Sequence, residues 1–180
     1  MRRTLFFLFL LGFTFSACLF IYKNRKTYVS FDDVSAVKYG DLAQNQGVRN
    51  DFIRVIKDKK WGVAKKKNGE VVLPLEYENI DEFYEGYAVV KKDDLYGAIN
   101  ENFELVIKPE WMEMRQFHLG YAVVYANNGK AGVVDVNGKV IVKPLYYDYI
   151  SSFDDNFVAF AENYKDGKKV LLDIKGNIVK

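Results

Sequence analysis

The 180 residues include one cysteine, one histidine and three prolines. A lone cysteine excludes an internal disulfide framework. One cysteine and one histidine together exclude a Cys/His zinc finger and any multi-histidine metal centre. No glycine-rich phosphate loop and no nucleophile-elbow pattern occurs. Neither sign of charge dominates, with 26 Lys and Arg against 24 Asp and Glu. Apolar residues at helical spacing are absent over any useful length. Disorder is excluded from the other direction, because 49% of the residues are hydrophobic.

Aromatic residues are what the chain has in excess, at 16%. The charges are unevenly placed. Residues 1–26 hold five basic residues, Arg2, Arg3, Lys23, Arg25 and Lys26, and no acidic one. The remainder therefore carries 21 basic against 24 acidic side chains, a net of −3. No basic patch is long enough to release many counterions from a nucleic acid, so nucleic-acid binding is set aside. The Lys65-Lys66-Lys67 run borders Asn68-Gly69 and reads as a solvated hairpin end.

Residues 4–22 form an uncharged, strongly apolar run of 19. At about 1.5 Å per residue such a run approaches the thickness of a bilayer core. Two readings compete. Phe15-Ser16-Ala17-Cys18 resembles a bacterial lipobox, with Cys18 as the residue that would carry lipid. Against it, Phe15 stands where an aliphatic is preferred, and Leu19-Phe20-Ile21-Tyr22 continue apolar after the cysteine. That departure fits an uncleaved signal anchor with Cys18 as a small hydrophobe. Either reading tethers the remainder to a membrane, on its outer face. Residues 1–26 are accordingly read as signal peptide or anchor, 27–49 as linker and cap, and 50–180 as a repeat domain.

The repeat shows in the rarest residues. Pro74, Pro109 and Pro144 recur every 35 residues, and Gly62, Gly97 and Gly132 keep the same step. A fixed period in this range marks a stacked repeat architecture. The first copy begins Trp61-Gly62-Val63-Ala64, the second Tyr96-Gly97-Ala98-Ile99, the third Ala131-Gly132-Val133-Val134. Each proline is followed by an aromatic-rich stretch and then, in the first two copies, by Phe-x-x-Gly-Tyr-Ala-Val-Val, at Phe83–Val90 and Phe117–Val124. Asn156 to Phe160 is a weakened version. A fourth copy starts at Lys169, and Phe52-Ile53-Arg54-Val55 is a partial copy ahead of the first.

Each unit reads as β. Asn-Gly between short apolar runs, as at Asn137-Gly138, is a strong hairpin signal because both residues tolerate positive φ. The Tyr-Ala-Val-Val run adds a third strand per copy. Proline is expected at the end of the second strand, where a missing ladder donor costs least. The recurring glycine is expected where a neighbouring backbone or ring leaves no room for a Cβ. Tyr77-x-x-Ile80-x-x-Phe83 and Tyr147-x-x-Ile150-x-x-Phe153 read as anchored turns that plug the gap between hairpins. In the middle copy Met112 and Arg115 are read as replacing the anchors, which makes that copy irregular.

On Lys60-Trp61-Gly62-Val63, Tyr96-Gly97-Ala98-Ile99, Gly132-Val133-Val134-Asp135, the Pro-x-x-Tyr features and the Phe-x-x-Gly-Tyr-Ala-Val pattern, residues 50–180 resemble the WG-repeat family, also called KWG repeats. The resemblance implies bacterial, often surface-associated or secreted proteins built of β-hairpin repeats, and implies no catalytic activity. A unit of this size cannot bury its apolar face alone, so neighbours must stack. The expected fold is all-β: stacked antiparallel hairpin repeats in an open, elongated array.

Chemistry is sparse. His118 stands at a variable repeat position and reads as an edge residue, not a general base. Asp81, Glu82 and Glu85, and Asp154 and Asp155, recur at matching loop positions and read as solvated turns. No cofactor or metal is expected, and no enzyme. The best binding candidates are tyrosines: Tyr146, Tyr147 and Tyr149 alternate and would share a face if extended, with Tyr147 expected in the repeat core and Tyr146 and Tyr149 left for a partner. Two function classes follow. One is a membrane-tethered, non-catalytic protein that binds or scaffolds another envelope protein. The other is a carbohydrate or cell-wall binding module.

Overall fold

Valine, isoleucine and tyrosine dominate the runs between turns, and their branched or ring side chains suit a pleated, half-buried surface. In the computed structural model, which describes residues 51–179, those runs are fourteen strands, with no helix among the described residues. Expectations for Cys18, the segment 1–26 and the linker 27–49 lie outside the described residues.

The strands form four antiparallel sheets in chain order. Sheet 1 is β1 (Phe52–Lys57), β2 (Lys60–Lys65) and β3 (Val71–Tyr77). Sheet 2 is β4 (Asn79–Ile80), β5 (Tyr87–Lys92), β6 (Leu95–Asn100) and β7 (Leu105–Trp111). Sheet 3 is β8 (Glu113–Met114), β9 (Tyr121–Tyr125), β10 (Ala131–Asp135) and β11 (Val140–Val142). Sheet 4 is β12 (Tyr149–Ile150), β13 (Val158–Asn163) and β14 (Lys168–Asp173). The Tyr-Ala-Val-Val strand pairs with the Gly-containing strand of the following copy: Tyr87 to Lys92 lie opposite Asn100 to Leu95. A sheet therefore straddles two sequence copies, and no copy completes a sheet by itself.

Period-2 alternation leaves buried residues on both faces of the inner sheets, and three apolar clusters fill the gaps between consecutive sheets. Val63, Leu73, Tyr77, Ile80, Phe83 and Val90 join sheets 1 and 2. Ala98, Ile107, Trp111, Met114, Phe117 and Val124 join sheets 2 and 3. Val133, Tyr147, Ile150, Phe153, Ala161 and Leu172 join sheets 3 and 4. Named polar ties supplement this packing. Arg54 Nη1 donates to the Ile80 carbonyl at 2.8 Å between sheets 1 and 2. Arg115 Nη1 donates to the Ile150 carbonyl at 3.3 Å between sheets 3 and 4.

Three expectations are corrected. The middle copy is regular: its buried anchors are Trp111, Met114 and Phe117, while Met112 is exposed and Arg115 half-buried. One residue fewer separates Pro109 from its anchor, since Trp61 pairs with Tyr77 but Tyr96 pairs with Trp111. A rigid 35-residue comparison is therefore one position out of step there. The anchored stretch after each proline is no plug either. It crosses between sheets and supplies β4, β8 and β12, the short first strands of sheets 2, 3 and 4. Finally, Pro74 and Pro109 lie inside β3 and β7, and only Pro144 follows its strand. An outermost strand tolerates this, because the missing N–H falls where the register already shifts.

That shift presses the outer strand onto the recurring glycine. A Cβ on Gly62 would lie 2.6 Å from the Leu73 carbonyl oxygen, and one on Gly132 would lie 2.6 Å from that of Val142. At Gly97 the Ile107 carbonyl oxygen is closer still. Sheet 4 has Val170 at the corresponding place, opposite Ala161 as Gly132 is opposite Val124. No proline-bearing strand crosses there among the described residues, so a side chain fits.

Several connections share one build. A residue at the loop start accepts from the fourth residue's amide, and that fourth residue has positive φ. Gly129, Gly138 and Gly176 take this place in three such loops, and Phe103 (φ 62°) and Phe157 (φ 59°) in two. A left-handed phenylalanine costs on the order of 1–3 kcal/mol. At Phe103 burial offsets it: only 7% is exposed, and the ring meets Phe52 at 4.7 Å and Phe83 at 6.0 Å between centroids.

Gly97→Val should lower stability by about 2–4 kcal/mol, because the Cβ itself collides with backbone. Thermal or urea unfolding tests this, and a change within about 0.5 kcal/mol would show that the outer strand can shift away.

Candidate functional site

Connections alternate between two ends of an antiparallel sheet. At one end β1–β2 and β5–β6 turn through Asp58-Lys59 and Asp93-Asp94. At this same end the corresponding loops of sheets 3 and 4 are longer, 126–130 and 164–167. They meet the crossover 143–148 and form a surface that the first two sheets lack.

Asn163 organises this surface and is the buried polar side chain among the described residues. Its Nδ2 donates to the Tyr146 carbonyl at 2.6 Å, and its Oδ1 accepts from the amides of Lys165 and Asp166 at 3.0 and 3.3 Å. Three of the side chain's four bonding sites are thus directed at holding the β13–β14 loop against the crossover. Tyr146 Oη donates to Asp166 Oδ2. Asp148 accepts from Lys130 Nζ at 2.7 Å and from the Tyr164 amide at 2.8 Å. These partners act on acidity. Lys130, helped by the Tyr164 amide, holds the Asp148 carboxyl below the usual carboxylate range. The Tyr146 hydroxyl does the same for Asp166, and Asp166 in turn raises the Tyr146 phenol. Both carboxylates are fixed as acceptors.

On this frame Leu145 (69% exposed), Tyr164 (65% exposed) and Tyr146 face solvent. The stretch containing Tyr146 turns after Pro144, and Tyr146, Tyr147 and Tyr149 do not form one exposed face; the Tyr146 ring instead meets that of Tyr147 edge-on at 5.0 Å. Tyr147 is buried in the cluster between sheets 3 and 4. Tyr149 is half-buried, 6.3 Å from Phe160, with the Arg115 guanidinium 5.2 Å from its ring. Arg115 also bonds Tyr125 Oη at 3.1 Å, which makes it a clasp between sheets 3 and 4.

Of the other residues singled out, Trp61, Gly62, Tyr96, Gly97 and Gly132 lie on β2, β6 and β10, each next to the outer strand of its sheet, with Pro74 and Pro109 on the outer strands β3 and β7, all serving the fold. His118 sits on the turn into β9, its Nδ1 3.5 Å from Glu85 Oε1, while both Glu85 oxygens accept from the Leu119 and Gly120 amides at 3.1 and 3.2 Å. Asp154 accepts from Asn156 and Val158 within its own loop. Burial raises the Asp81 carboxyl despite the Asn79 amide beside it. Among the described residues no group of side chains has the makings of a metal site. Leu145, Tyr164 and Asn163 were not singled out from sequence. The readable signal was length: the spacing between paired strands grows in the last two copies.

Asn163→Ala should destabilise by about 1–3 kcal/mol, since it strands the Tyr146 carbonyl and two loop amides. It should also make the β13–β14 loop susceptible to limited proteolysis. An unchanged melting temperature and cleavage pattern would show that the loop is held without it.

No curated protein matches the chain. Among solved structures it is similar to the computationally designed Ika4 protein, at 13% identity over 68% of this chain and 85% of that one, with a TM-score of 0.39. It is similar also to HIRA(644-1017), at 9% identity over 71% and 51% with a TM-score of 0.41. A protein of unknown function from Bacteroides caccae gives 15% identity over 74% and 57% with a TM-score of 0.32. A family model described as a WG containing repeat matches residues 62–96, 96–130 and 132–168. Those three matches span more than half of the sequence, and the chain belongs to the WG-repeat family.

Proposed function

We propose that this is a non-catalytic, membrane-tethered envelope protein whose repeat surface binds another envelope protein. The observation that carries the reading is the surface on sheets 3 and 4, where Leu145 and Tyr146 on the crossover and Tyr164 on the β13–β14 loop stand exposed, the two segments tied together by buried Asn163. Tyrosine gives rigid contact area with few rotatable bonds, and a preformed loop lowers the ordering cost of binding. The non-catalytic reading is supported by His118 and Glu85, which clasp neighbouring turns. The tether reading rests on the uncharged run 4–22 and on Cys18.

A second reading, a carbohydrate or cell-wall ligand, is favoured by one feature: Tyr146 and Tyr164 stand beside Asp166 and Asp148, an aromatic surface with fixed acceptors. The two readings part on one pair of experiments. Pull-down with the detergent-extracted full chain should recover one envelope protein, and Tyr146→Phe with Tyr164→Ala should abolish recovery while the variant still melts as a folded protein. Glycan-array binding lost in the same variant, with no protein recovered, would transfer the assignment to the sugar reading. Separately, mass analysis of the N-terminus in cells should find either lipid-modified Cys18 or intact Met1. A free, unmodified N-terminus downstream of residue 26 would overturn the tether.

A further inference from the structure

Five loops share the hydrogen-bond pattern described above, and their left-handed fourth residue tells them apart. Three use glycine. Phe103 is repaid by burial between Phe52 and Phe83. Phe157 receives no such return. It holds φ 59°, is 47% exposed, and has no ring partner among the described residues. The corresponding turns of sheets 2 and 3 are one residue shorter and hold Glu85-Gly86 and Leu119-Gly120 at positive φ; Glu85 is engaged there by the Leu119 and Gly120 amides, so only sheet 4 puts an unengaged aromatic at such a place. Sheet 4 thus has a longer turn with a strained aromatic at its tip, where glycine would be more stable alone. Backbone strain unsupported by internal contacts points outward, to something that meets the side chain.

We infer that Phe157 is an anchor for a partner protein that offers an apolar pocket rimmed by lysine or arginine. This rests on the protein-binding reading above, and adds a second contact region at the opposite end of the sheets. The charge around the anchor selects the partner. Asp154 and Asp155 precede Phe157, both exposed. The Val158 and Asn156 amides keep the Asp154 carboxyl below its ordinary range, so it stays charged. An exposed aromatic beside two carboxylates is repelled by an anionic lipid surface and complements a basic rim. A single ring seated in a desolvated pocket is the usual form of an interface hot spot.

The test uses the full chain in its own membrane, with a benzophenone-bearing phenylalanine at position 157 and, separately, at positions 84 and 164. Ultraviolet light should join position 157 to one protein, at a peptide lining an apolar pocket edged by Lys or Arg. Asp155→Lys should reduce that adduct at least tenfold. Phe157→Gly should keep or raise the melting temperature and compete poorly against adduct formation. Adducts to lipid alone, to a second copy of this chain alone, or none at 157 would overturn the inference. So would a fall of several degrees with Phe157→Gly, which would place the ring in the fold. Adducts from position 164 without any from 157 would sink this inference and leave the protein-binding reading standing, whereas silence at both would sink the two together.

Discussion

The structure depends on one close approach. In sheets 1, 2 and 3 the outer strand bends across the second strand and sets a carbonyl oxygen where a Cβ would otherwise be. Only glycine leaves that space open. The bend shifts the register, and the shifted register is where Pro74 and Pro109 are tolerated. Glycine and proline therefore recur together because they are two sides of one contact. In sheet 4, where no proline-bearing outer strand lies beside β14 among the described residues, Val170 stands at the corresponding place.

A second constraint follows from connectivity. The chain crosses to the next sheet immediately after the bent strand, so each sequence copy begins in one sheet and ends in its neighbour. The anchors on that crossover (Tyr77 and Ile80, Trp111 and Met114, Tyr147 and Ile150) are buried between the sheets they link. Loss of one anchor should therefore weaken two sheets. A repeat array gains its cooperativity from such shared interfaces, since a single unit has too little apolar area to fold alone. Arg54 and Arg115 add charged ties at the first and last of the three gaps, and Glu85 spans turns at the middle one.

The proposed binding surface lies where the copies differ. The glycines, prolines and anchors keep the sheets in place and are similar from copy to copy. The long loops of sheets 3 and 4 and buried Asn163, which frame the exposed tyrosines at one end, depart from the pattern, as does exposed Phe157 at the other end. Loops on a rigid scaffold are the usual place for such specialisation.

The sequence by itself determined the all-β class, the 35-residue period and the place of the glycines. These rest on local rules: β-branched and aromatic runs, turn residues, and a conformational demand that few residue types meet. Its reading of Tyr147 as core was also sound, because burial there follows the repeat. Tertiary structure decided the rest. Trp111 and Met114, not Met112 and Arg115, fill the middle gap, because a one-residue deletion after Pro109 resets which side chains point inward. The pairing of each Tyr-Ala-Val-Val strand with the following copy was invisible, since strand partners are chosen by packing across the chain. Tyr146 and Tyr149 part company for two reasons: three positions apart they would lie on opposite faces even of an extended strand, and the chain turns after Pro144, which only the fold shows.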